Sequence, residues 1–141
     1  MRSAVFVVLL LGALGAGCSK ASDTAPSSST PATSTEIFVG TLDVGGSNLY
    51  GFNVVQAGTV TVTLASVTAG ALSQPTGGTV GVGVGTPPSE TECTLAVSSN
   101  LRAALTAQLS TSMTTGVKCL QVFDPGTLTG SVNFAVRIVH P

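Results

Sequence analysis

The chain has 141 residues, of which 8% are charged, and its formal net charge is −1. So few charges, with no basic patch, exclude nucleic-acid binding of the electrostatic kind. Histidine occurs once, so a Ser-His-Asp triad would have to use His140. Tryptophan does not occur, so a multi-aromatic sugar platform lacks its usual side chain. Thr, Ser, Gly and Val dominate, and β-branched residues between glycine-rich turns favour strands over helices.

An export leader precedes everything else. Arg2 supplies a positive charge, an apolar run follows, and small residues precede Cys18. This arrangement resembles a bacterial lipoprotein signal, in which the cysteine is lipidated and becomes the mature N-terminus. The resemblance implies a signal peptide at residues 1–17, palmitate or a similar acyl chain on Cys18, and a place in the cell envelope. In resembling proteins of double-membraned bacteria, a serine such as Ser19 after the cysteine favours the outer membrane as the destination.

The residues leave a second interpretation of this leader open. An ordinary secretory signal, cut near Ala16 or Gly17, would release an extracellular protein with Cys18 as a free thiol. A transmembrane helix is disfavoured, because the apolar run is shorter than the roughly 20 residues that a bilayer requires. Residues 18–35 are rich in Ser, Thr and Pro and contain no large apolar side chain. They predict a disordered tether that begins at the lipidated cysteine.

The region 36–140 predicts one β-domain. Its clearest period-two alternation runs through Thr59–Ala65, and with the preceding strand it predicts a hairpin across a tight turn. Residues 101–109 fit helical or strand spacing, and their surroundings favour a strand; residues 67–78 predict a loop. The predicted strands are 37–42, 49–55, 59–65, 79–85, one through Cys93, 101–109, 116–123 and 132–139. Seven or eight such strands predict an antiparallel two-sheet β-sandwich of jelly-roll type.

Three glycines interrupt one predicted strand. Gly81, Gly83 and Gly85 alternate with valines, so glycine lines one face of the strand. Glycine at such positions allows another backbone to approach closely. A nucleotide-binding loop is disfavoured, because no helix follows. The pair Pro87-Pro88 then predicts the end of the strand.

Residues 50–54 (Tyr-Gly-Phe-Asn-Val) precede an Ala-Gly turn and a Thr/Val strand at 59–64. In this order they resemble the bacterial pre-peptidase C-terminal domain, and the resemblance spans roughly residues 36–140. It implies a non-catalytic sandwich that accompanies exported enzymes, with roles in binding polymers, assisting secretion or contacting partner proteins. Some members of that family bind calcium.

Cys93 and Cys119 remain once Cys18 is assigned to the anchor. An exported domain folds in an oxidising compartment, so we expect these two cysteines to form a disulfide. Two free buried thiols are the alternative. A metal site is disfavoured, because no second pair of thiols or imidazoles is available.

Four carboxylates are the candidates for a cation site. On an extended chain, Glu90 and Glu92 point the same way, so they could bind calcium or serve a glycosidase, although solvated loop charges are the more common case. Asp43 and Asp124 lie in predicted turns, where Asp commonly caps its own backbone. The sequence keeps calcium as a secondary possibility for these four residues.

The remaining polar candidates favour a protein that is not an enzyme. His140 is expected to be an exposed tail residue rather than a catalytic base. Tyr50 is expected in the core rather than in a sugar-stacking surface, because it shares a face with Phe52 and Val54. The sequence therefore predicts a non-catalytic, lipid-anchored envelope protein that binds an envelope protein or polymer. A carbohydrate-binding module and a calcium-dependent adhesion or accessory domain are the alternatives.

Overall fold

The structure is a computed structural model that describes residues 32–69, 74–76 and 78–141. The leader, Cys18 and the tether up to residue 31 lie outside the described residues. Within them every regular element is a β-strand. The first strand begins at Ser34, two residues before the predicted start of the domain. A search of the described ranges finds no helix long and apolar enough to span a membrane.

Nine strands follow one another in the described ranges. They are β1 (Ser34–Leu42), β2 (Ser47–Val54), β3 (Gly58–Ala69), β4 (Gln74–Pro75), β5 (Val80–Ser89), β6 (Glu92–Leu101), β7 (Leu109–Met113), β8 (Gly116–Phe123) and β9 (Val132–His140). The bounds of β8 match the prediction, and those of β9 differ by one residue.

The strands form two antiparallel sheets. In the first sheet the order is β1-β9-β3, and β4 and β7 both pair with the remaining edge of β3. In the second sheet the order is β2-β8-β5-β6. Setting aside the two-residue β4, two four-stranded sheets remain, and their strand order is that of a jelly roll. The predicted fold class is confirmed.

The core lies between the two sheets and is built by period-two alternation. In β3 the side chains of Val60, Val62 and Leu64 are buried, as predicted. The four predicted inward residues of β9 are also buried: Val132, Phe134, Val136 and Ile138. β9 pairs with β1 over nine positions, from Ser34↔His140 to Leu42↔Val132, and so aligns the inward faces of both strands.

The predicted hairpin between β2 and β3 is wrong. β2 pairs with β8, and β3 pairs with β9 in the other sheet. The turn at residues 55–57 therefore carries the chain from one sheet to the other. Alternation shows which face of a strand is buried, but it does not show which strand pairs with it.

The predicted loop at 67–78 is wrong at its start. β3 continues to Ala69, and a register shift between Leu64 and Ser66 moves the buried phase so that Val67 packs inward. A bulge of this kind breaks the alternation without ending the strand. Residues 70–73 and 77 of the predicted loop lie outside the described residues.

The predicted strand at 101–109 is also wrong. Leu101 ends β6 and Leu109 begins β7, while Leu105 is 92% exposed. The side chain of Gln108 takes the place of a strand partner: its Oε1 accepts from the backbone N–H of Leu64 at 2.9 Å. A glutamine side chain thus satisfies part of the free edge of β3.

Candidate functional site: the clefts at the hairpin tip

The hairpin of β5 and β6 bends out of the plane of its sheet near its tip, which we define as residues 86–94. Pairing between β5 and β8 ends at Gly85↔Cys119, and the register between β5 and β6 shifts twice beyond Val84. Pro87 and Pro88 have no N–H to donate to a ladder, so they cannot extend the pairing with β8. The prediction that the prolines end β5 is wrong, because the strand continues to Ser89. Beyond Gly85, however, β5 no longer pairs with β8.

A disulfide holds the hairpin tip against the sheet. Cys93 in β6 is bonded to Cys119 in β8, with their Cα atoms 5.8 Å apart, a separation typical of disulfides. The predicted pairing is confirmed. Because Cys119 lies on the outward face of β8, the bond fixes the tip over the outer face of the second sheet.

Three glycines make room for this arrangement on the outer face of β5. The ring of Phe123 covers Gly81, Leu95 and Ser98 cover Gly83, and the backbone of Thr94 lies against Gly85. A side chain at any of these positions would displace its neighbour. The expected close approach of another backbone is confirmed at Gly85.

We expect Gly85→Ala to lower the free energy of unfolding by about 1–3 kcal/mol, because the added methyl overlaps the Thr94 carbonyl. Gly130→Ala is the matched control, since no atom lies within 4 Å of a Cβ at that position. Urea denaturation of both variants measures the difference. Equal midpoints for the two variants would contradict the close packing at Gly85.

Two open clefts lie beside the hairpin tip. Their volumes are about 390 and 430 Å³, which is within the range of small-ligand sites. The first is lined by Leu49, Tyr50, Gly51, Pro87, Ser89, Glu90, Val117, Lys118 and Cys119. The second is lined by Ser47, Leu49, Pro88, Thr91, Glu92, Cys93, Thr94 and Gln121. Leu49 belongs to both, so it separates an apolar cleft from a more polar one.

The four candidate calcium ligands are not brought together. Glu90 lies in the hairpin turn and Glu92 begins β6. They line different clefts, so they do not point the same way. Asp43 and Asp124 lie in the β1–β2 and β8–β9 connections, and neither of them lines a cleft beside the hairpin tip. Across the described ranges, no three His, Cys, Asp or Glu side chains form a group that could hold a metal ion.

Asp124 joins the β1–β2 and β8–β9 connections. Its Oδ2 accepts from the N–H of Gly45 at 2.8 Å, and its Oδ1 accepts from the N–H groups of Gly126, Thr127 and Leu128. These bonds, that from Gly45 foremost, lower the pKa of the Asp124 carboxyl below its usual value. Asp43 accepts from the Ser131 hydroxyl at 2.7 Å. Asp124 therefore caps its own turn, as its position predicts, whereas the Asp43 carboxylate bonds to a side chain of the β8–β9 connection.

The lowered pKa of Asp124 predicts a pH dependence of stability. The charged carboxylate stabilises the fold above the unfolded pKa of about 3.8, and this contribution is lost as the pH falls through the lower folded pKa. We expect the urea midpoint of the wild type to fall between pH 5 and pH 2, and Asp124→Asn to reduce that fall. Glu92→Gln is the control and keeps the wild-type slope. An unchanged slope in Asp124→Asn would contradict the prediction.

His140 is not the exposed tail residue that was predicted. It is 3% exposed, its Nε2 lies 2.9 Å from Oε1 of Glu36, and its ring is 5.4 Å from that of Phe52. β9 continues to this residue and pairs it with Ser34. The sequence contains evidence for the burial of His140, because this residue continues the inward series of β9 at a spacing of two.

Lys118 is a buried residue that sequence analysis missed. It occupies an inward position of β8 opposite Phe52 and is 6% exposed. Its Nζ reaches the β7–β8 connection, where it donates to Oγ1 of Thr114 at 3.2 Å. The aliphatic stem is buried in the end of the core while the ammonium group lies near its rim.

Tyr50 packs against the core, as predicted. Its ring lies 5.2 Å from that of Phe38 and 6.2 Å from that of Phe134. Its hydroxyl donates to the carbonyl of Val39 at 3.1 Å, and the Asn48 amide donates to the carbonyl of Thr41. These two side chains of β2 therefore satisfy the free edge of β1 and join the two sheets.

The fold and the site define a jelly-roll domain with a disulfide-fixed hairpin over one sheet face. A scan against protein-family models found none that matches the chain. A search of curated proteins found no matching sequence.

Proposed function

We propose that this chain is a non-catalytic, lipid-anchored protein of the bacterial cell envelope whose jelly roll binds a partner protein or polymer. The observation that carries the binding role is the hairpin tip, which the Cys93–Cys119 bond holds over an outer sheet face. The bond fixes the hairpin tip, which forms one wall of both clefts. A preformed site does not spend binding free energy on ordering its own walls.

The chemistry of the apolar cleft supports binding. Leu49, Pro87 and Val117 supply apolar surface, while Ser89 and Glu90 place polar groups at the tip. A mostly apolar lining with a few polar groups is typical of recognition sites. A partner with an extended apolar segment and one hydrogen-bond donor fits this surface best.

The position of His140 supports a non-catalytic role. The chain has one histidine, and its imidazole is packed behind Phe52 and contacts Glu36. Neither cleft is lined by it. Among the imidazole and the carboxylates, only Glu90 and Glu92 line these clefts, and they line different ones.

The envelope location rests on the leader. Its resemblance to a lipoprotein signal supports acylation of Cys18, and the resemblance of residues 36–140 to the pre-peptidase C-terminal domain supports an accessory role. The intact mass of the protein extracted from membranes tests the anchor: we expect the mass of an acylated Cys18, with a gain of two hydrogens on reduction. An unacylated mass would overturn the anchor and leave an extracellular binding domain.

Retention on isolated cell-wall polymer and on immobilised envelope proteins tests the site. We expect Leu49→Glu to abolish retention, because it places a carboxylate between the two clefts. The control is Leu105→Glu, the same change at an exposed leucine that lines neither cleft, and it should bind as the wild type does. Equal binding of both variants would overturn the site, and hydrolysis that disappears in Glu90→Ala would overturn the non-catalytic assignment. Retention on polysaccharide alone would favour the carbohydrate-binding alternative.

A further inference from the structure

One end of the sandwich, which we call the proximal end, gathers the first residue of β1 and two turns. Ser34 opens β1 beside His140, and the turns are residues 55–57 and 114–116. These turns adjoin, because Val54 at the end of β2 pairs with Gly116 at the start of β8. The proximal end is therefore where the segment from Cys18 enters the domain.

Two apolar side chains are exposed at the proximal end. Val55 is 69% exposed in the first turn, and Val117 is 60% exposed directly after the second. Val117 pairs with Asn53, two residues before Val55, so the two valines lie close together. They form a small apolar surface at the entry point of the chain.

The charge of the proximal end is close to neutral. Residues 55–57 and 114–116 contain no charged side chain. The nearest ionisable groups are one lysine and two glutamates beside the single imidazole: Lys118 reaches Thr114, Glu36 contacts His140, and Glu90 lines the same cleft as Val117. Such a surface neither requires anionic lipid nor is strongly repelled by it.

The length and the attachment point of the connecting chain favour contact between this surface and the membrane. From Cys18 to Ser34 the chain has sixteen residue steps, which span at most about 55 Å when fully extended. The strands of the sandwich are about 30 Å long. The proximal end is attached directly to this segment, whereas the distal end with Val44 reaches the membrane only if the segment runs the whole length of the domain.

We propose that the proximal end rests on the bilayer, with Val55 and Val117 inserted at the boundary between headgroups and acyl chains. This inference depends on the proposed anchor at Cys18. Two valines are too few to hold a soluble domain on a membrane. Because the anchor already holds the domain at the bilayer, the contact of the two valines with lipid is intramolecular. A contact that is weak on its own is then formed. Because Val117 also lines the first cleft, the contact places that cleft at the membrane surface, while the second cleft, which Val117 does not line, stays open to a partner.

The absence of tryptophan from the chain permits a direct test. Val55→Trp and Val117→Trp each place a single indole at the proximal end, and Val44→Trp is the matched control. Val44 is also an exposed valine within a turn, 55% exposed, but at the distal end. The acylated full chain is reconstituted into phosphatidylcholine vesicles that contain lipid brominated in its acyl chains.

We expect bromine to quench the fluorescence of V55W and V117W by roughly half and to leave V44W nearly unchanged, because only an inserted indole reaches the acyl chains. Raising the salt concentration should not change this result, since the surface is nearly neutral. Thermal melting confirms that each variant is folded, and V117W provides the test if V55W is not.

Flotation with the vesicles separates this inference from the anchor. A chain that does not float overturns both proposals. A chain that floats but shows little quenching at all three positions overturns only the contact of the proximal end. Strong and equal quenching in V55W, V117W and V44W overturns it as well, because the domain then has no fixed orientation on the bilayer.

Discussion

Leu120→Ala is expected to lower the free energy of unfolding by about 2–5 kcal/mol. Leu120 is fully buried in β8, between its pairing partners Tyr50 in β2 and Val84 in β5. Truncation removes its apolar contacts and leaves a cavity, because strands on both sides prevent the sheet from closing around it. Urea denaturation followed by circular dichroism measures the loss.

Leu105→Ala is the matched control for this prediction. The same chemical change is made at a leucine that is 92% exposed, in the connection between β6 and β7. We expect a change within about 0.5 kcal/mol of zero. Similar losses at both positions would mean that burial does not govern the effect, and would contradict the placement of Leu120 in the core.

Loss of the disulfide has the second large expected effect. Replacing Cys93 and Cys119 together by alanine should lower the free energy of unfolding by about 3.5 kcal/mol in the chain-entropy account, given their separation of 26 residues. The unfolded chain gains the freedom that the loop closure had removed. Denaturation midpoints of the oxidised wild type and the double variant give the difference.

Reductant provides the control for the disulfide. Dithiothreitol should bring the wild type to the stability of the double variant and leave the double variant unchanged. Amide hydrogen exchange should accelerate first at residues 86–94, because the released tip is no longer held over β8. A reductant effect of equal size on both proteins would contradict the assignment of the lost stability to this bond.

The buried faces were predictable from the sequence, whereas the strand partners were not. Alternation placed the core residues of β3 and β9 correctly because one face of each strand packs inward. The same pattern carries no information on the neighbour, so the hairpin of β2 and β3 was wrong. The bulge after Leu64 defeated the pattern by shifting its phase.

The site was only partly accessible to sequence reasoning. Cysteine number and compartment predicted the Cys93–Cys119 pair. That this bond folds a hairpin over its own sheet depends on two register shifts and on two prolines that cannot pair with β8. Local composition does not predict against which part of the sheet a bent hairpin packs. The cleft residues Leu49 and Gln121 were therefore not identified beforehand.

The strand order has a consequence for how the chain acquires its structure. β9 lies between β1 and β3, and β8 lies between β2 and β5, so the last strands to be synthesised form the interior of both sheets. When the chain is synthesised from its amino end, β1 and β2 have no pairing partner until β9 and β8 follow. Pairings of such long sequence separation form slowly. Neither sheet can be completed until β8 and β9 have been synthesised, so the domain cannot fold strand by strand as it emerges.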